Sequence, residues 1–280
     1  MKIWRSEAAK QELMARYRAF LSLWPQPNEQ RSVPTRHGET FVVSSGAGPA
    51  LVLLHGAGSS SFMWARDAAL WGQSFRVHAV DMIGEPGLSS ENRPALASGA
   101  YVEWLDDVLA QLGVEKCALT GISLGGWLAL DYASKRPARV TAVAALCPGG
   151  VGKHKNVLLW ALPLMLLGSW GRNKVRDIIA GPKTDIPSAA GDFMAAIYKN
   201  FHMRREKVPV ISDAALTRLG MPVLAILGGK DAMVDTAGTR RRIEAHVPRA
   251  QIVWLPEQGH FLRDQAERID TFMRRAHALA

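Results

Sequence analysis

CALTGISLGGWLALDYA, residues 117–133, sets one serine among three glycines, at the point where an apolar run changes its period. Residues 116–122 make a short apolar run of strand length. Beyond it, Leu124, Leu128 and Tyr132 recur at the spacing of one helical face, toward a stop near Arg136 and Pro137. Ser123 is therefore expected on a tight corner between a strand and a helix. A side chain on such a corner is held at unfavourable backbone angles, tolerated where its neighbours carry no side chains to collide. Gly121 and Gly125 occupy those positions. An ordinary helix N-cap would account for Ser123 but not for the two glycines around it.

The remaining chain fits a large α/β core. It has 280 residues and 48% hydrophobic content, enough to bury about 75% of the unfolded surface, and one domain with an insertion is expected. The opening MKIWRSEAAK is followed by no apolar segment of a secretory signal. The greasiest stretch, VLLWALPLMLLGSW at residues 157–170, falls short of the ~20 residues of a membrane span, so a soluble, cytoplasmic protein is expected. Cys117 and Cys147 fall in predicted strands and read as two buried thiols. The formal charge of +9 is spread over separate clusters, GRNKVR, KNFHMRREK, TRRR and FMRRAH. Without a nucleic-acid motif these read as solvated helix faces, and neither a nucleic-acid nor a membrane partner is expected.

Along the chain, Leu13, Tyr17, Phe20, Leu21 and Trp24 share one face of a helix predicted over residues 6–23, ended by Pro25 and Pro27. Strand runs follow in ETFVVSSG, PALVLLHGAG, FRVHAVDMIG, EKCALTG, VTAVAALCPGG, MPVLAILGGKD and AQIVWLPEQGH, with helical patterns between most of them. Continuous apolar strands alternating with helices predict a parallel sheet covered on both faces. The alternation breaks once, where about 70 residues carry helix-compatible segments and no strand, too long for a plain loop. Residues 150–219 are accordingly read as a helical cap, and residues 1–149 with 220–280 as the core domain.

Ligands of a parallel α/β sheet bind beyond the carboxyl ends of the strands. Four strand runs end in residues of the right chemistry: HGAGSS at 55–60, then Ser123, Asp231 and His260. Together these supply a nucleophile, a base to take its proton, an acid to orient the base, and backbone donors for a developing oxyanion. Asp235 lies in the same loop as Asp231 but farther from the strand. His246 and His277 also follow Asp231, inside predicted helices, whereas His260 follows a strand and a glycine.

On these residues the chain resembles the α/β-hydrolase superfamily, in particular its capped esterases with an HG oxyanion motif, over nearly its whole length. The order Ser123, Asp231, His260 matches the family order. The resemblance implies a mostly parallel eight-stranded sheet flanked by helices, with Ser123 of GISLGG as nucleophile, Asp231 of GGKDAMVD as acid and His260 of EQGHF as base. It also implies an oxyanion hole made by the backbone N–H groups of Ala57 and Leu124. The common D-x-x-G-x-G-x-S loop of the family is one residue longer here, DMIGEPGLS, which leaves Glu85 without an assignment.

His55 is expected to brace the oxyanion loop, and His154 and His202 to be solvated cap residues. Trp64, Trp127 and Trp160 fit either a pocket lining or the core. No set of His and carboxylates has metal-ligand spacing, and HGAGSS lacks the G-x-G-x-x-G of dinucleotide binding, so no metal or cofactor is expected. The expected function is a serine hydrolase acting on a small, largely apolar carboxylic ester through an acyl-enzyme. The same parts serve lactone, thioester, amide and C–C hydrolases, and a non-catalytic ligand-binding protein on this scaffold is the alternative of another class. The apolar segment at 157–170 is expected either to face the substrate or to pack the cap onto the core.

Overall fold

Along β3 (Ala50–Leu54) the side chains alternate between two hydrophobic cores in the computed structural model, which describes residues 2–180 and 188–278. Leu51 and Leu53 enter one core, Val52 and Leu54 the other, all without solvent exposure. A strand buried on both faces must be apolar at every position, which is why these runs lack a polar alternation. Each such side chain contributes about 1.5–3 kcal/mol by leaving water.

Among the described residues eight strands form one sheet in the order β1-β2-β4-β3-β5-β6-β7-β8. They are β1 (Asn28–Val33), β2 (Thr40–Ser45), β3, β4 (Arg76–Val80), β5 (Cys117–Ile122), β6 (Val140–Leu146), β7 (Val223–Gly228) and β8 (Ala250–Leu255). β2 runs antiparallel to β1 and β4, and every later pairing is parallel. The apolar runs marked every strand but β1. Its sequence NEQRSV is exposed at four of six positions, so it offers no apolar pattern to detect, and as a polar edge it discourages pairing with another chain.

The helices are α1 (Glu7–Leu21), α2 (Ala65–Trp71), α3 (Ala100–Gln111), α4 (Leu124–Lys135), α5 (Val157–Met165), α6 (Gly168–Ala180), α7 (Ser188–Asn200), α8 (Asp213–Leu216), α9 (Thr236–His246) and α10 (Ala266–Ala278). Residues of α3, α4 and α9 fill the core on one face of the sheet, and residues of α1, α2, α7 and α10 the other. α1 starts where its N-cap Ser6 accepts from Ala9 N–H at 3.1 Å. Its Tyr17 reaches Asp81, at the end of β4, with a 2.8 Å hydrogen bond. Trp64 and Trp127 are buried core residues; the side chain of Trp160 lies outside the described residues.

Helices α5 to α8 lie between β6 and β7. α7 is anchored by Phe193 and Ile197, with Phe193 packed against Tyr17, Phe20 and Phe62. α5 and α6 touch where the Leu164 carbonyl stands against Gly171. In the apolar segment Ala161 is buried, whereas Leu162, Met165, Leu166, Leu167 and Trp170 are exposed and belong to neither core; the side chains of residues 157–160 lie outside the described residues. Cys117 and Cys147 are free and buried, and Cys147 lies just beyond β6, at φ 39°, instead of within it.

Candidate active site

Ser123 follows β5 directly, at φ 54° and ψ −110°. This left-handed conformation costs a non-glycine residue about 1–3 kcal/mol and must be imposed by its surroundings. The Ser123 amide donates to Leu146 O at 2.9 Å, and its carbonyl accepts from Trp127 N at 2.9 Å and Gly149 N at 3.0 Å. The residue stands at the N-cap of α4, yet its side chain makes no capping bond, so the hydroxyl is not spent on the helix. A Cβ on Gly121 would meet the Gly125 carbonyl, and one on Gly125 would meet the carbonyl of Leu54 at the end of β3. The two glycines let the corner close and seat the start of α4 against the loop after β3. Leu124 is the first residue of α4, and its N–H has no acceptor within the helix.

The loop after β3 is held by the ring of His55. Met82 N–H donates to His55 Nε2 at 2.9 Å, so the ring proton sits on Nδ1, which donates to Gly56 O at 2.8 Å. Burial lowers the His55 pKa and favours this neutral form. In a trans peptide the N–H points away from the C=O, so fixing the Gly56 carbonyl also fixes the direction of the Ala57 N–H. The next peptide is held as well, by Gly58 N–H donating to Glu85 Oε2 at 2.8 Å. Gly58 has φ +71°, and a Cβ there would collide with Met203 and press on Tyr198.

Beyond β7 and β8, His260 Nδ1 donates to Asp231 Oδ2 at 2.7 Å, both residues being buried. Asp231 Oδ1 accepts from Met233 N at 2.7 Å and Val234 N at 2.9 Å. Burial alone would raise the Asp231 pKa, but the hydrogen bond and charge of His260, with the two amides, hold it below its ordinary value. With Nδ1 bonded to a carboxylate, Nε2 is the ring nitrogen left to accept a proton. Asp235 is committed elsewhere: it caps α9, Oδ1 accepting from Gly238 N at 2.9 Å. His246 faces Asp213, while His277, His154 and His202 are exposed.

Cys147 Sγ, Asp231 and His260 present ligand atoms within 4.8 Å of one another. They do not suit a metal ion. The Asp231 oxygens already accept protein N–H groups, and burial with the neighbouring Asp231 pushes the Cys147 thiol well above its ordinary pKa, so that a metal ion would have to displace both the proton and these hydrogen bonds.

Glu85 is the residue that the sequence left unassigned. It is buried, and the longer loop carrying it folds back on Asp81: Leu88 N donates to Asp81 Oδ2 at 2.8 Å and Ser89 Oγ to Asp81 O at 2.6 Å. The extra residue in DMIGEPGLS was the signal, but its partner Arg204 is distant in sequence and no spacing announces it.

A family model described as the alpha/beta hydrolase family matches residues 51–270, a span holding the loop after β3, Ser123, Asp231 and His260. The chain belongs to the alpha/beta hydrolase family. Within this family it is 31% identical over 257 residues to carboxylesterase YbfK of Bacillus subtilis, covering 88% of this chain and 86% of that one. The crystal structure of that carboxylesterase, CesB (YbfK), superposes with a TM-score of 0.83 at 29% identity, over 98% of this chain and 99% of the other. The naproxen esterase of Bacillus subtilis gives a TM-score of 0.80 at 28% identity, over 98% and 99%. The shared fold is the mostly parallel eight-stranded sheet with flanking helices. Among the described residues no helix is long and apolar enough to cross a membrane.

Proposed function

We propose that this alpha/beta hydrolase is a serine carboxylesterase in which Ser123 is the nucleophile, His260 the base and Asp231 the residue that orients it. The Ala57 and Leu124 N–H groups form the oxyanion hole. His260 Nε2 takes the Ser123 proton as Oγ attacks the ester carbonyl, and the carbonyl oxygen becomes an oxyanion between the two amides. The tetrahedral species collapses with proton transfer from His260 to the leaving alcohol, giving an acyl-enzyme. Water, deprotonated by His260, attacks the acyl carbon and the acid leaves with Ser123 restored.

One observation carries this reading: a serine held at φ 54° with its hydroxyl unspent, on the same carboxyl edge of the sheet as the buried Asp231–His260 pair. The two carboxylesterase relatives, YbfK and the naproxen esterase, support the choice of an ester as substrate. Residues 150–219 are proposed to act as a helical cap over this edge of a core formed by 1–149 and 220–280. Support comes from Met203 and Tyr198, which stand against Gly58 beside the oxyanion loop and offer apolar surface to an acyl chain. A neutral acyl group of short to medium length suits such walls, each buried CH₂ adding up to ~0.8 kcal/mol.

The test is kcat/KM for p-nitrophenyl esters from acetate upward. Activity rising with chain length to a maximum is expected. A flat profile, or preference for anionic acyl groups, contradicts the apolar walls; failure to hydrolyse any ester contradicts the carboxylesterase reading.

A further inference from the structure

Glu85 belongs to none of the roles assigned above, yet it is among the most buried charged side chains in the protein. Its two oxygens face different parts of the structure. Oε2 accepts the Gly58 N–H at 2.8 Å. Oε1 faces Arg204 Nε at 3.7 Å, and among the described residues neither of these two atoms has a hydrogen-bond partner. Arg204 lies in the stretch between α7 and α8, and it is docked on the loop after β4, where its Nη1 donates to Pro94 O at 3.2 Å; the same Nη1 donates to Glu206 Oε2 of its own stretch at 2.9 Å. Arg93 grips the same stretch, donating to His202 O at 2.8 Å and, through Nε, to Gly84 O at 3.0 Å.

The peptide chemistry shows what the Gly58 bond does. The oxyanion loop has three consecutive groups of interest: the Gly56 carbonyl, held by His55; the Ala57 N–H, in the same rigid peptide plane; and the Gly58 N–H, held by Glu85. Ala57 is thus clamped on both sides, by His55 and by Glu85, and the loop after β4 supports both clamps: Met82 holds the His55 ring, and Glu85 belongs to that loop. The Gly58 N–H is directed at a carboxylate, which leaves the Ala57 amide as the one that can face a substrate oxygen. A hydrogen bond from a backbone amide to a buried carboxylate is charge-assisted and about twice as strong as a neutral one. Burial holds the Glu85 pKa above its ordinary value, and the Gly58 amide with the Arg93 and Arg204 guanidinium groups offsets only part of that push.

We propose that Glu85 is a positioning residue of the hydrolase, which fixes the Ala57 N–H in the oxyanion hole through Gly58 and ties that geometry to the seating of the Arg204 stretch. The inference rests on the proposed roles of Ser123 and Ala57. The competing role is purely structural, in which Glu85 serves only as a buried counter-charge to Arg204 and Arg93.

Two single substitutions separate these roles. Glu85→Asp keeps the charge but withdraws the carboxylate by about one C–C bond, ~1.5 Å, out of reach of Gly58. Glu85→Gln keeps an acceptor oxygen in reach but removes the charge. Removing an oxyanion donor outright costs about 10²–10³ in kcat, and a displaced donor belongs at the low end. Glu85→Asp is expected to lower kcat by about 30- to 100-fold with KM within about threefold, and Glu85→Gln to stay within about fivefold of wild type. Affinity for a trifluoromethyl ketone, whose carbonyl carbon bonds to Ser123 Oγ as the proton passes to His260 and the oxygen enters the hole, should fall in step with kcat/KM. The reverse order, with Glu85→Gln the worse enzyme, or a rise in KM at unchanged kcat, overturns the proposal. Should Glu85→Asp fail to fold, the ketone decides on Glu85→Gln alone: binding within about threefold of wild type is expected, and a loss above about 30-fold overturns it. Failure of the nucleophile reading is seen separately, as hydrolysis by Ser123→Ala; with that variant inactive, the order of the Glu85 variants tests this proposal by itself.

Discussion

The carbonyl oxygen of Leu54 occupies the space that a side chain on Gly125 would need. This contact joins the end of β3 to the first turn of α4, so the loop carrying Ala57 and the corner carrying Ser123 are one packed unit. Gly125→Ala should therefore destabilise the protein by about 1–3 kcal/mol through overpacking, although the same change in a free helix stabilises by up to about 1 kcal/mol. Gly220, which has open space around its Cβ position, is the control: Gly220→Ala should be neutral or slightly stabilising. Urea unfolding of both variants checks the signs, and an unchanged midpoint for Gly125→Ala would contradict the packing argument.

Asp231 and Asp235 should separate cleanly. Asp231→Asn leaves His260 without its orienting carboxylate and is expected to lower kcat by about 10⁴. Asp235→Ala removes the α9 cap and should cost about 1 kcal/mol of stability with kcat within about tenfold of wild type. Steady-state kinetics and denaturant unfolding on both variants would expose a reversed assignment.

The sequence carried the parts of this site that depend on local pattern. Gly121 and Gly125 around Ser123 mark a steric requirement five residues wide, and each strand buried on both faces announces itself as an apolar run. Choosing Asp231 over Asp235 rested on distance from the strand alone; the structure adds the physical reason, since one carboxylate reaches His260 and the other caps α9. What stayed hidden was non-local or unpatterned. β1 is a polar edge strand, legible only through the eight strands that the family resemblance implied. Glu85 gains its meaning from Gly58 and Arg204, one on an earlier loop and one far along the chain. The apolar surplus of residues 157–170 gave a composition but no direction, and several of its side chains face outward.

Stability should carry the signature of His78, a buried histidine whose pKa is lowered to about 4 from the ordinary 6.5 by burial and by nearby Arg76. Between these two values the unfolded chain binds a proton that the folded chain does not. The contribution is thus complete above pH ~6.5 and falls as the pH drops, by about 3 kcal/mol on reaching pH ~4. The His78→Gln variant lacks it, and other titrating groups cancel when its unfolding free energy is subtracted from that of wild type at each pH. A difference independent of pH over this window would show that His78 titrates normally.

Met203 should help set the preferred acyl length. Its Sδ and Cε stand against Gly58, so Met203→Ala is expected to move the optimum to longer p-nitrophenyl esters, and Met203→Trp to shorter ones. Each CH₂ lost or gained by the pocket is worth up to ~0.8 kcal/mol, about fourfold in kcat/KM. Unaltered profiles in both variants would place the acyl chain away from this residue.

The central claim is that Ser123 forms the covalent bond to substrate. The most direct measurement treats wild type and Ser123→Ala with a fluorophosphonate, follows the intact mass of each, and assays ester hydrolysis on the same samples. Wild type should gain one phosphonyl group on Ser123 and lose activity in proportion. Ser123→Ala should gain none and hydrolyse on the order of 10⁶ more slowly from the start, with its fold intact. Modification of a different residue in wild type, or more than a few per cent of wild-type hydrolysis by Ser123→Ala, would contradict the claim.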